Sequence, residues 1–255
     1  MRILFIGDIF GSPGRAAVTA FLKRERSGFD LVIANAENTS SGRGLTARHF
    51  SELRDAGIDV MTMGNHTWDQ KETAELLEES ARLIRPANYP PGTPGLGQTI
   101  VTARGGGRVA VAQVMGRVFM DPLDDPFRTL DGIRAEVPSE VPLVVDVHAE
   151  ATSEKKAIAW YLRGRAAAVL GTHTHVQTAD EAVHGGTASI TDVGLTGVAD
   201  SAIGMGFEEV HYRFTARRPL RYRPAEGRAA VNAVVIALEG PAAVSIERIW
   251  WWHEQ

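Results

Sequence analysis

Residues 166–175 read Ala166-Ala167-Ala168-Val169-Leu170-Gly171-Thr172-His173-Thr174-His175, an apolar run that ends on two imidazoles set one residue apart. A short apolar run closed by glycine has the signature of a buried strand, so both rings arrive at the rim of a sheet. Neutral imidazole is a common metal ligand, and open α/β sheets bind their ligands beyond the strand ends. One His-x-His also occurs in solvated loops, so the reading depends on how the other strands end.

They end alike. The run Arg2 to Gly7 stops at Asp8, and the segment from Pro13 to Arg26 behind it has helical spacing. Leu31 to Ala36 stops at Glu37-Asn38, followed by the glycine-rich Gly42-Arg43-Gly44, whose backbone N–H groups could meet a phosphate. A helix over Thr46 to Ala56 leads to Val60–Met63 and then Gly64-Asn65-His66. Leu143 to Val147, interrupted by Asp146, stops at His148, with a helix expected over Glu154 to Arg163.

Most of these sites have an ordinary explanation of their own, Glu37 least, because turns prefer Asn or Asp to Glu. Asp8 suits a turn or helix cap, and His148 suits a satisfied core histidine. Asp69 and Glu72 fit a capping box opening a helix over Gln70 to Ser80, and Glu150 fits a support for the loop or the next helix start. Together, five strand ends bearing carboxylate, amide and imidazole at the edge of one mainly parallel sheet predict a metal site. The donors are too many for one ion, so two ions sharing a carboxylate are expected, as in sites that clamp both oxygens of an in-line phosphoryl displacement.

Composition narrows the chemistry. The 255 residues are 44% hydrophobic and 23% charged, which suits a globular domain with a sizeable core. There is no cysteine, so disulfides, thiolate metal sites and thiol nucleophiles are excluded, and any metal must be held by oxygen and nitrogen. The apolar run Ile3–Ile6 is too short for a signal-peptide core and no stretch reaches membrane-span length, which leads to a cytoplasmic expectation. A net charge of -4 gives no overall case for a polyanion surface.

The rest of the chain is less regular. Pro86 to Gly97 reads as a connector, Gly105-Gly106-Gly107 as the turn of a hairpin ending in Val109–Val114, and Met115 to Ile133 as loop. Thr187–Asp192, Glu208–Phe214, Val231–Leu238 and Val244–Trp251 read as strands, with Asp192 to Gly197 a turn that could approach a ligand by its backbone. The arginines at 217, 218, 221, 223 and 228, within the arginine-rich segment 213–228, fit a charged edge strand or hairpin, with phosphate or RNA as the alternative. Trp250-Trp251-Trp252 is expected to pack against the sheet or a partner rather than to stack on substrate.

The set Gly7-Asp8, Glu37-Asn38, Gly64-Asn65-His66, His148 and Gly171-Thr172-His173-Thr174-His175, with Gly194-Leu195-Thr196-Gly197, resembles the calcineurin-like metallophosphoesterases and among them the YmdB-like subfamily of bacterial cyclic-nucleotide phosphodiesterases. The motifs span most of the chain. The resemblance implies one metal on Asp8, Glu37, Asn38 and His175 and another on Glu37, Asn65, His148 and His173, bridged by Glu37. It departs from the wider superfamily at Phe10, where a histidine is usual, at Glu37, where the bridge is usually Asp, and at Thr67, which replaces an acid.

The implied fold is α/β: a four-layer αββα sandwich of mixed sheets flanked by helices, one metallophosphoesterase domain over 1–255. The implied activity is hydrolysis of 2',3'-cyclic nucleotides by a hydroxide between two divalent or mixed-valence ions, Fe or Mn before Zn, with His66 stabilising or protonating the leaving oxygen. A phosphomonoesterase or nucleotidase, and a metal-dependent regulatory RNA-binding protein, stay open as alternatives. Expected partners are a small phosphodiester or cyclic nucleotide and no membrane, with RNA and a second copy of the chain left open.

Overall fold

A computed structural model describes residues 1–253. Its first third alternates strand and helix: β1 (Arg2–Ile6), β2 (Asp8–Ile9), α1 (Gly11–Glu25), β3 (Leu31–Asn35), α2 (Ala47–Ala56), β4 (Val60–Thr62), α3 (Thr73–Glu79) and β5 (Leu83–Ile84). The middle runs β6 (Gln98–Thr102), β7 (Arg108–Met115), α4 (Pro126–Glu136), β8 (Leu143–His148), α5 (Thr152–Tyr161), β9 (Ala168–Thr172), β10 (Ala182–His184) and β11 (Thr187–Ile190). The last part is β12 (Leu195–Val198), α6 (Phe207–Ala216), β13 (Ala229–Glu239) and β14 (Ala242–Trp252).

The strands form two mixed sheets. The first has the order β2-β12-β13-β1-β3-β4-β5, with β14 also on β13, and the second β10-β11-β9-β8-β7-β6. Period-two alternation decides what each face buries. In β1, Leu4 and Ile6 join Val18, Phe21 and Leu22 of α1 in one core, while Ile3 and Phe5 join Val144 and Leu170 in a second core between the sheets. Leu143, Val145 and Val147 face α4 and α5 in a third. Three apolar layers separated by two sheets make the αββα sandwich, and strands covered on both faces explain why these runs read as continuously apolar.

The expectation that five strand ends share one sheet is corrected. Asp8, Glu37 and Asn65 follow strands of the first sheet, whereas His148 ends β8 and His173 follows β9 of the second. Residues 208–214 form helix α6 rather than a strand, and α4 lies within the expected loop 115–133 and beyond it. The arginine-rich stretch after α6 carries only an isolated bridge between Met205 and Pro224 in place of an edge hairpin, and Pro219 and Pro224 have no N–H to give a ladder. The capping box is also replaced: α3 begins at Thr73, Asp69 turns to His66, and Glu72 accepts from the Ala47 N–H at 2.8 Å. Among the described residues no helix is long and apolar enough to cross a membrane.

Asp146 joins the sheets. Its strand neighbour Val144 points into the inter-sheet core, and two residues on its own carboxylate faces the same way. It accepts from Thr62 Oγ1 (2.5 Å) and Asn35 Nδ2 (3.2 Å) of the first sheet and from Gln113 Nε2 (3.1 Å) and Thr172 Oγ1 (2.6 Å) of the second. Burial raises its pKa, against the lowering influence of His148 and these hydrogen bonds. Asp146→Ala strands four buried donors and is expected to destabilise the fold by about 3 kcal/mol. A urea midpoint lowered at unchanged slope would register that loss, and an unshifted midpoint would remove Asp146 from this role.

Candidate metal centre

His148 anchors the site. Thr172 Oγ1 gives its proton to Asp146, so its oxygen accepts from His148 Nδ1 at 2.9 Å and turns Nε2 toward the cavity. Around that Nε2 lie Asn65 Oδ1 at 2.9 Å, Glu37 Oε1 at 3.1 Å and His173 Nδ1 at 3.1 Å. One proton cannot serve three acceptors. Ligand atoms about 2.1 Å from a shared ion lie roughly 3 to 3.5 Å apart, close to the three distances from His148 Nε2, and Glu37, His148 and His173 each offer a ligand atom within 4.8 Å of the others. Gly64 makes this approach possible, because a Cβ there would collide with Glu37 Oε2 and the His148 ring.

The second half adjoins the first. Asp8 Oδ1 and Asn38 Oδ1 are buried and have no hydrogen-bond partner among the described residues, although such atoms cost stability unless something satisfies them. His175 Nε2 stands 3.7 Å from Asp8 Oδ1, and its Nδ1 faces the Ile203 carbonyl at 3.0 Å. Asn38 gives its Nδ2 to the Gly42 carbonyl, which leaves Oδ1 for another partner. Orphaned oxygens beside converging imidazoles and carboxylates fit metal binding by oxygen and nitrogen. Thus all seven residues expected as ligands meet in one place.

Backbone strain at this site has a visible support. His173 and His175 adopt φ of 92° and 63°, a region costly for a side chain with a Cβ. Between them Thr174 is held by Asp192, whose Oδ2 accepts from its N–H (3.0 Å) and hydroxyl (2.5 Å) and from Lys155 Nζ (2.8 Å). Lys155, 2% exposed, also reaches Thr174 Oγ1 at 3.0 Å. Neither Lys155 nor Asp192 was legible as a support in the sequence; the only signal for Asp192 was an acid directly after an apolar strand. Glu150 faces His173 Nε2 at 3.2 Å instead of the helix start, where Glu154 accepts from the Arg117 N–H at 3.0 Å.

His66 stands apart from the ligands. Its backbone N–H donates to Glu37 Oε2 at 2.8 Å, and its ring Nδ1 pairs with Asp69 Oδ2 at 2.9 Å. The ring lines a cavity of about 160 Å³ together with Glu37, Asn38, His173, His175 and the exposed Arg43. Asp69 thus fixes the ring while the other nitrogen remains for chemistry.

A family model described as YmdB-like protein matches residues 4–249. The chain belongs to the YmdB-like family. Among its YmdB-like relatives is the 2',3'-cyclic-nucleotide 2'-phosphodiesterase of Bacillus subtilis, 48% identical over 98% of this chain and 96% of that protein. Two solved structures share the fold: a protein from Thermus thermophilus described as hypothetical (TM-score 0.96, 49% identity, all of both chains) and a novel phosphatase from Mycoplasma pneumoniae (TM-score 0.93, 31% identity, 99% of this chain and 93% of that one).

In this YmdB-like site, charge is balanced by protons where cations would otherwise serve. Burial disfavours the His148 cation, but the Glu37 charge and hydrogen bond, with Asp8 and Asp146, outweigh it and push its pKa up to about 9. Burial alone would raise Glu37, yet His148 and His66 bring it below the usual carboxylate range. Burial raises Asp8 to about 6, partly offset by His175 and His148, and burial with the His148 charge lowers His173 to about 3.

A raised histidine stabilises the fold fully below its ordinary pKa of 6.5, and that contribution fades as pH rises through the folded value near 9. Glu37 and His173 are depressed and contribute no slope in that window. Chelator-treated protein is therefore expected to lose thermal stability between pH 6.5 and 9, while manganese-loaded protein keeps it. Parallel melting curves across that range in both forms would contradict the arrangement.

Proposed function

We propose that this chain is a metal-dependent phosphodiesterase that hydrolyses 2',3'-cyclic nucleotides at a two-ion centre. Asp8, Glu37, Asn38 and His175 would hold one ion and Glu37, Asn65, His148 and His173 the other, with Glu37 common to both. The observation that carries the reading is the crowding of three donor atoms around His148 Nε2 beside the orphaned oxygens of Asp8 and Asn38. Oxygen and nitrogen donors without thiolate suit Mn, Fe or Zn. When bound, such a pair supplies charge stabilisation for the attacking and leaving oxygens of an in-line displacement and acidifies the attacking water.

The chain's own groups do the positioning. Asp69 holds His66 by Nδ1; in the imidazolium form Nε2 also carries a proton, and that proton passes to the ribose oxygen as its bond to phosphorus breaks. Water supplies the hydroxyl that joins phosphorus, and its proton leaves to solvent, so the diester becomes a monoester. Arg43, at the cavity rim, places a positive charge where a phosphate oxygen would approach. The Bacillus subtilis relative's name supports the diester reading, while that of the Mycoplasma pneumoniae structure favours a monoesterase as the second reading.

Assay of bis-p-nitrophenyl phosphate, p-nitrophenyl phosphate and 2',3'-cyclic AMP with manganese separates them. Preference for the two diesters is expected. Preference for the monoester would overturn the proposal, and a protein that only binds RNA would turn over none of the three. His66→Ala is expected to keep its metal and lose about 10² to 10⁴ in kcat. Glu37→Gln is expected to lower the metal content at both positions; full occupancy with undiminished turnover would contradict its shared role.

A further inference from the structure

The three terminal tryptophans do not share a task, because strand residues alternate faces. Trp251 turns toward α1, its ring 5.5 Å from Phe21 and 6.0 Å from the Arg24 guanidinium carbon. Trp250 and Trp252 lie edge to face 5.7 Å apart, and Arg228 covers Trp252 at 3.6 Å. Trp250 remains 52% exposed. In the β13–β14 ladder it stands directly opposite Asn232, so both side chains project from the same side of the sheet.

Beside this pair is a cavity of about 190 Å³, walled by Trp250, Asn232, Val176, Leu195, Ile203 and His175. Val176 is 62% exposed. Asn232 is 4% exposed, and its Oδ1 is a buried acceptor with no partner among the described residues. His175 and Ile203 also wall the cavity over the candidate metal centre, so the two spaces are neighbours across one imidazole. His175 and the Ile203 carbonyl, 3.0 Å apart, form the ridge between them, so a ligand with its phosphate at the centre would cross that ridge to reach this second space.

We propose that the cavity walled by Trp250, Val176 and Asn232 is the nucleobase site of the substrate, with the base stacked on Trp250 and its N–H edge toward the Asn232 carboxamide. A planar heterocycle has a face for the exposed indole and a donor for the orphaned acceptor, a combination that neither a lipid chain nor an inorganic anion offers. The inference rests on the cyclic-nucleotide reading given above and adds where the base goes.

The test compares kcat/KM for 2',3'-cyclic AMP with that for 1-O-methylribose 2',3'-cyclic phosphate, which has no base. Wild-type protein should favour the nucleotide. In Trp250→Ala the ratio of the two should fall about tenfold, chiefly through KM for the nucleotide, and Trp250→Phe should recover most of it. A ratio that Trp250→Ala leaves unmoved would overturn the base site while leaving the phosphodiesterase reading intact. Should neither cyclic substrate turn over, that reading fails, and calorimetric titration with adenosine 3'-monophosphate decides the site by itself. Binding weakened about tenfold in Trp250→Ala upholds it, and equal binding rejects it.

Discussion

The arrangement depends on one buried carboxylate. Asp146 accepts hydrogen bonds from four strands in two sheets, at the end of the seam where the apolar core between them stops. Period-two geometry then places the next functional residue: Asn35 precedes Glu37 and Asp146 precedes His148 by two positions each, so what the clasp aligns below is aligned above. Thr172 ties the same carboxylate to the His148 ring. Residues far apart in the chain meet because two sheet faces meet.

Polar groups inside a sandwich are costly, and this one concentrates them. The Lys155–Asp192 pair, the left-handed histidines and the orphaned oxygens of Asp8 and Asn38 all lie within one end of the molecule. Each is unfavourable alone. They persist because three apolar layers fix the strands and because Asp192, Thr174 and Lys155 satisfy one another. Strain and unmet acceptors gathered in one place mark a site shaped for something other than stability.

Much of this was readable in the residues. The strand ends at Asp8, Glu37, Asn65, His148 and His173 were legible because an apolar run stopped by a polar residue is a local signal. That they come from two sheets was not, since a run carries no mark of which sheet it joins. Helix α6 was misread because Val210, Tyr212 and Phe214 favour strands, although Glu208 and Glu209 in its first turn and Arg213 in its last suit the helix dipole. Helix α4 had a readable start in Asp125-Pro126, where the Asp125 side chain accepts from the Phe127 N–H. Lys155 gave no signal at all, because its partners lie 19 and 37 residues away.

The central claim is that the two sheets close on a pair of cations. Anomalous scattering measured at the manganese and iron absorption edges, on crystals grown without chelator, tests it most directly. The account requires two peaks about 3.5 to 4 Å apart, one beside Asp8 and His175 and the other beside His148 and His173, with Glu37 between them. A single peak, or two peaks remote from Glu37, would contradict it.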